Sequence, residues 1–433
     1  MMREMVTIFR LALLLALPVA MTQPIERADA RVRAVLVGAS DFAEPELRRF
    51  SLPGAARDAE RMADALRPFE ISAGDMTVLT GRAATADAIR AALDALARRS
   101  TRGDRAIIFL SGHGTQAPVS TDDGLEPDGL DEWFLASDAG RWDTRSQSLP
   151  GGLKDDEIGL RVRAMRADGV DVWIMIDSCT GGGLFRGSRA TPKSIDASIL
   201  GIVLPPPNRG AIDTSGFVDA GLAGGGRLVA FAAAAPGQIA WDYGDGGRFT
   251  TALAAALTDR PSSFAALAAR SGPVAIPWTA GDLSAPFLFD GQSPDLLGLI
   301  RGLPPLPFAT RLSIDDAGAC KKRSSGSDRR SPDASTTITL GHCDHVRVDF
   351  GEPVTPLRLE AWYRDASGSY ASLSPPAGLL VVPGRWANVG FTFVTHDPVS
   401  GSPLPRGEEV LILLVRDGSG AAIAGDLMRF QAK

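Results

Sequence analysis

From Arg31 onward, short continuously apolar runs alternate with amphipathic stretches of helical period. Residues 32–37 form a β-branched run closed by Gly38, and residues 106–110 and 170–176 are runs of the same kind. Shorter ones lie at 76–79 and 228–233. Between them, residues 54–66 place Ala55, Ala59, Met62, Ala63 and Leu66 at helical spacing, with Arg57, Asp58 and Glu60 interposed. Thr85 opens a second helix through Arg98, with Asp87 in its first turn and basic residues in its last, the polarity the helix dipole favours. Residues 154–166 and 249–257 predict two more helices. Strands that are apolar on both faces and alternate with helices predict an α/β fold, a mostly parallel sheet flanked by helices.

Around Leu303-Pro304-Pro305 the pattern changes. Beyond it, segments such as 357–363 and 410–415 are separated by Gly, Pro, Asp and Ser turns, which predicts a smaller all-β C-terminal domain. The expected organisation is a peptide of residues 1–30, an α/β domain over 31–302 and a β-rich domain over 303–433. Residues 321–331 are basic and Ser-rich and predict an exposed loop. In the first segment Arg3 and Arg10 precede an apolar run, residues 11–21, shorter than the roughly 20 residues a bilayer crossing needs. A basic start and a short apolar stretch predict a secretory signal, hence export and no stable membrane span.

Composition narrows this picture only a little. The chain has 433 residues, 45% apolar and 22% charged, ordinary for a globular protein of more than one domain. A net charge of −6 gives no reason to expect a nucleic-acid partner. There are three cysteines. In an oxidising compartment Cys320 and Cys343 could pair, leaving Cys179 as the odd thiol.

Two turns carry candidate chemistry. Ser111-Gly112-His113-Gly114 leaves a strand through glycines that let the backbone approach a ligand, and a histidine there suits a general base or proton shuttle. Asp177-Ser178-Cys179 ends another apolar strand and runs into Thr180-Gly181-Gly182-Gly183. A thiolate is a competent nucleophile, and free amides at Gly114 and Cys179 could stabilise the oxyanion of an acyl transfer. In parallel α/β sheets the functional crevice lies beyond the carboxyl ends of the strands, so the two turns could meet there. Taken singly, each residue could equally be a turn histidine or a buried structural cysteine.

The ordered set of landmarks resembles the caspase/metacaspase family of cysteine peptidases. It comprises Ala34-Val-Leu-Val-Gly38, Leu52-Pro-Gly-Ala-Ala-Arg-Asp58, Phe109-Leu-Ser-Gly-His-Gly114, Asp128-Gly-Leu-Asp-Glu132, Leu153-Lys-Asp-Asp-Glu157, Ile174-Met-Ile-Asp-Ser-Cys179 and Gly246-Gly-Arg-Phe-Thr-Thr-Ala-Leu253. The resemblance implies a Cys-His dyad of Cys179 and His113, with Gly114 contributing to the oxyanion hole. It also implies that Asp58, Ser111 and Asp177 line the pocket for the residue before the scissile bond. Paired carboxylates there would favour Arg or Lys through charge-assisted hydrogen bonds, so the expected partner is a protein or peptide substrate with a basic residue at that position.

The chain departs from the family pattern at Thr180-Gly181, where His-Ser is usual. A caspase-like binding or regulatory protein without turnover is therefore the alternative function, and another thiol hydrolase a third. No cofactor is required by a Cys-His mechanism. Calcium binding, seen in some metacaspases, would draw on Asp155 and Asp156, which otherwise open a helix with Glu157. Between Gly182 and Gly225 lies a long Gly-, Pro- and Ser-containing segment, where the resemblance implies self-cleavage after Arg186, Arg189 or Lys193.

Overall fold

In the computed structural model, the runs that are apolar on both faces become adjacent strands of one sheet. The structure describes residues 30–433 apart from 70, 120–128, 180–189, 206–224, 235–237, 273, 292–295, 316–326, 331–336, 341–343, 352, 354–355, 365, 367–369, 374–378, 383–386, 393–405, 417–421 and 433. The first half contains β1 (Val32–Gly38), β2 (Met76–Thr80), β3 (Arg105–Ser111), β4 (His113–Pro118), β5 (Leu130–Leu135) and β6 (Gly152–Lys154). It continues with β7 (Asp171–Asp177), β8 (Thr191–Pro192), β9 (Leu228–Ala232), β10 (Trp241–Asp242) and β11 (Trp278–Gly281). The helices are α1 (Pro53–Leu66), α2 (Ala86–Arg99), α3 (Asp155–Ala167), α4 (Arg248–Leu257), α5 (Phe264–Ser271) and α6 (Leu296–Ile300).

The central sheet has the order β11-β9-β7-β3-β1-β2, parallel throughout except for β11, which runs antiparallel to β9. Alternate side chains of β3 explain why its sequence shows no polar face. Ile107 and Phe109 pack with Ala59 and Met62 of α1, Leu253 of α4 and Phe264 of α5. Ile108 and Leu110 pack with Ile89 and Leu93 of α2 and with Ile158 and Val162 of α3 on the opposite face. Both faces are thus covered, as the continuous apolar runs require. Trp173 anchors the first layer, its ring edge-on to Phe231, Phe264 and Phe287 at 5.9, 5.3 and 5.6 Å.

The remaining strands are β12 (Thr310–Asp315), β13 (Ser327–Arg330), β14 (Thr337–Leu340), β15 (His345–Phe350) and β16 (Leu357–Arg364). They are followed by β17 (Tyr370–Ser372), β18 (Leu379–Val381), β19 (Ala387–Thr392), β20 (Glu409–Arg416) and β21 (Ala422–Ala432). They form two sheets, β13-β12-β15-β19 and β14-β21-β20-β16-β17 with β18 also on β16. Leu312, Val348 and Phe350 face Leu359, Leu413 and Phe430 between them. The other face of β20, through Val410, Ile412 and Leu414, packs into the layer that holds Leu296 and Ile300 of α6. Double burial makes residues 410–415 uniformly apolar.

One sequence expectation is corrected here. Part of the basic stretch at 321–331 is strand, because β13 pairs antiparallel with β12 from Leu312↔Arg330 to Asp315↔Ser327. A polar stretch on the outer edge of a sheet carries no apolar periodicity, so its pattern imitates a loop. Cys320 and Cys343, and hence their pairing, lie outside the described residues, as does the apolar run at 11–21. Among the described residues no helix is long and apolar enough to cross a membrane.

Candidate active site

Strands β3 and β7 are neighbours, and Ser111 pairs with Asp177 at their carboxyl ends. The two candidate turns therefore leave the sheet side by side, and Gly112 N–H donates to Asp177 O at 3.3 Å. After Gly112 the chain starts β4, which pairs with β5. This turns the His113 ring into a buried site stacked on Phe42, with centroids 5.9 Å apart. Nε2 of His113 lies 2.6 Å from the carbonyl of Phe50. A carbonyl only accepts, so Nε2 carries the hydrogen and Nδ1 holds the lone pair a general base needs. Burial pushes the imidazole pKa down to about 4; the Phe50 carbonyl opposes that shift and the nearby Lys193 ammonium adds to it.

Cys179 is fully buried. Its Sγ accepts from Ala240 N at 2.7 Å and donates to Ala240 O at 3.4 Å. Burial, joined by the Asp177 carboxylate, pushes the thiol up to about 12. A neutral imidazole and a neutral thiol thus face the site in this closed form.

What closes it is the chain itself. Residues 190–205 return across the carboxyl end of the sheet, with Thr191 and Pro192 of β8 paired antiparallel to Asp242 and Trp241 of β10. The Lys193 side chain is completely buried. Its ammonium lies 2.7 Å from Asp58 Oδ2, 2.9 Å from Asp177 Oδ2 and 2.9 Å from Ser111 Oγ, which uses its three donors. Burial alone would discharge this amine, but the Asp177 and Asp58 carboxylates outweigh it and raise its pKa. The three residues expected to line a basic pocket therefore surround one lysine.

The main chain of Lys193 is held as firmly. Its N–H donates to Ala240 O at 3.0 Å. Its carbonyl oxygen accepts from Gly114 N at 3.1 Å and from Cys179 N at 3.0 Å. Two converging amides on one carbonyl, beside a cysteine and a histidine, are the arrangement that stabilises a developing oxyanion. Gly114 permits this approach, since a Cβ there would lie 2.0 Å from Cys179 O.

Several residues of the site escaped the sequence reading. Gly247 N donates to Asp58 at 2.9 and 3.0 Å, and Thr250 Oγ1 donates to Asp177 Oδ2 at 2.5 Å. Both lie in the stretch 246–253, one of the landmarks that carry the family resemblance, and that was the available signal. Asp242 is a third buried carboxylate close by, its pKa raised by burial and its Oδ1 accepting from Gly244 N at 2.6 Å. A cavity of about 410 Å³ opens beside the strap, lined by Asp177, Ala240, Trp241, Arg248 and Phe249 among others.

Asp155 and Asp156 open α3, and Glu157 accepts from the Lys154 main chain at 3.1 Å and from Arg90 at 2.9 Å. Among the described residues no cluster of three or more His, Cys, Asp or Glu is placed to hold a metal ion. Arg186 and Arg189 lie outside the described residues.

A parallel α/β sheet whose adjacent strand ends present a histidine and a cysteine defines a caspase-like fold. The caspase domain family model matches residues 31–270, more than half of the chain, and the chain belongs to that family, whose members are generally cysteine peptidases acting on proteins. Among solved structures it is similar to a structural-genomics protein from Geobacter sulfurreducens, with 22% identity, a TM-score of 0.41, and 56% of this chain and 88% of that one covered. It is also similar to caspase-1 from Spodoptera frugiperda, with 15% identity, a TM-score of 0.36, and 56% and 75% covered. No curated protein matches the chain significantly.

Proposed function

We propose that this chain is a cysteine endopeptidase that cleaves after Lys or Arg through Cys179 and His113, and that its first substrate is its own Lys193–Ser194 bond. The observation that carries this reading is Lys193 itself. Its ammonium lies among Asp58, Ser111 and Asp177 while its carbonyl accepts from the amides of Gly114 and Cys179.

The chemistry follows from these positions. The thiol turns from Ala240 toward the Lys193 carbonyl carbon and gives its proton to Nδ1 of His113 as the C–S bond forms. Negative charge builds on the carbonyl oxygen, where two amides already point; each such donor is worth about 10²–10³ in rate. The C–N bond then breaks, and His113 returns the proton to the departing Ser194 nitrogen. Water, deprotonated by the same imidazole, hydrolyses the thioester to a Lys193 carboxylate and regenerates the thiol. Cleavage frees the residues that fill the basic pocket, which external substrates with Lys or Arg can then occupy. In this proposal residues 1–30 direct export, and calcium at Asp155 and Asp156 is no part of the chemical step.

Short reporter peptides ending in Lys, Arg or Asp test the reading. Hydrolysis after Lys and Arg by the wild type, and by no Cys179→Ala protein, supports it. Equal rates in both proteins would remove the catalytic assignment, and preference for Asp would remove the pocket assignment.

One observation favours a second reading. The thiol is buried, neutral and engaged with Ala240, as in a binding protein that has lost turnover. A Lys193→Ala protein that exposes the thiol yet hydrolyses no reporter would select it.

A further inference from the structure

The strap divides at Lys193 into two halves that are held differently. On the amino side, Thr191 is exposed and Pro192 half-buried, and their described pairing is the two-residue ladder to β10. On the carboxyl side, Ser194, Ile195, Ala197, Leu200 and Ile202 are all buried. Ile195, Leu200 and Ile202 share an apolar cluster with Phe42, Leu135 and Leu149, separate from the two layers of the central sheet. Main-chain bonds fix the same stretch: Ile195 N donates to Gly114 O at 3.0 Å, and Trp142 N donates to Leu200 O at 2.8 Å. A short helical turn at 197–200 is capped by Asp196, whose Oδ1 accepts from Ser198 N at 2.9 Å, and it ends at Gly201 in the left-handed conformation. None of these contacts uses the Lys193 side chain or the 193–194 peptide bond.

We propose that residues 194–202 stay seated after the 193–194 bond is cut, so that the processed enzyme keeps the far half of its cleft filled by its own chain. Substrates are then recognised by the residues preceding their scissile bond, and residues following it find their groove already occupied. This rests on the reading of Lys193 as the residue before the scissile bond. Ser194 bridges to Gly114, the residue whose amide holds the Lys193 carbonyl, so the seated segment begins at the reacting bond. Cleavage alone therefore opens the lysine pocket and the β10 edge, whereas the groove beyond the bond stays closed.

Two measurements on the full chain test this. In a Cys179→Ala background, amide exchange is followed at Ile195 and Ile202 with Lys193 intact and with Lys193→Ala. If the segment is held by its own contacts, both amides stay slowed about 100-fold or more relative to open chain in either protein. Loss of that protection on removing Lys193 would overturn the proposal; Lys193→Gln serves in its place if the alanine protein fails to fold. In the processed wild type, reporters carrying only residues before the scissile bond are compared with reporters extended by four residues beyond it. Extension is expected to leave kcat/KM unimproved, whereas in Ile195→Ala/Leu200→Ala the extended-to-short ratio rises about tenfold. An extension that helps the wild type as much as the double variant would overturn the proposal. Exchange protection without any reporter hydrolysis would instead leave the seated segment standing and remove the peptidase reading.

Discussion

The main-chain N–H of Gly114 donates to the carbonyl oxygen of Lys193 at 3.1 Å, although 79 positions of sequence separate them (193 − 114). One end of Lys193 is thus fixed at the chemical centre while its other end, the ammonium, is fixed 2.7 Å from Asp58. In the proposed function such a residue is a substrate supplied by the chain itself, and removing either anchor should have separable consequences.

Lys193→Ala empties the pocket and should expose the thiol. In a His113→Ala background, which keeps the 193–194 bond uncut, alkylation of Cys179 by iodoacetamide near pH 8 is slow with Lys193 in place because burial pushes the thiol up to about 12, and Lys193→Ala is expected to accelerate it at least about tenfold. Lys193→Arg should keep self-cleavage, whereas Lys193→Glu should abolish it. Mass analysis of labelled and unlabelled chains checks both statements.

In the uncut Cys179→Ala protein, Asp58→Asn leaves the fully buried Lys193 ammonium with one carboxylate partner. Breaking a buried ion pair in this way costs about 3–5 kcal/mol, so thermal stability should fall measurably. The same substitution should weaken hydrolysis after Lys and Arg more than it weakens thiol reactivity, a comparison made with reporters and alkylation rates on one preparation. Gly247→Ala should act similarly, because a Cβ there would lie 2.7 Å from Lys193 Nζ and 2.3 Å from Asp177 Oδ2.

Acid should loosen the closed form. His113 has its pKa lowered from 6.5 to about 4, so the closed form favours the neutral ring. The stability this confers is complete above about pH 6.5 and is lost progressively as pH falls toward 4, a loss of roughly 3 kcal/mol in all. Proteolytic susceptibility of residues 190–205 is expected to rise across that window, and His113→Gln should flatten the dependence.

How much of this was legible in the sequence differs by feature. Strands doubly buried in the sheet, such as residues 106–110 and 170–176, showed themselves as uninterrupted apolar runs because both faces are covered. His113, Cys179, Asp58, Ser111 and Asp177 were nameable because they sit in short motifs at strand and helix ends. That they surround one lysine was not legible, since Lys193 lies in a Gly-, Pro- and Ser-containing stretch without periodicity and its contacts are all long-range. Asp242 escaped because it lies in a short stretch between glycines without periodicity, and Thr250, although inside a predicted helix, escaped because helical spacing does not reveal that its hydroxyl meets Asp177. The edge strand β13 was misread because a polar edge strand and a loop share one composition.

Self-cleavage at Lys193 is decided by fragment mass analysis of the purified wild type and of Cys179→Ala. The expected result is a wild-type fragment beginning Ser194-Ile195-Asp196, a partner ending at Lys193, and an uncut 193–194 bond in the alanine protein. An active wild type whose 193–194 bond remains intact, or the same cut in both proteins, would contradict it.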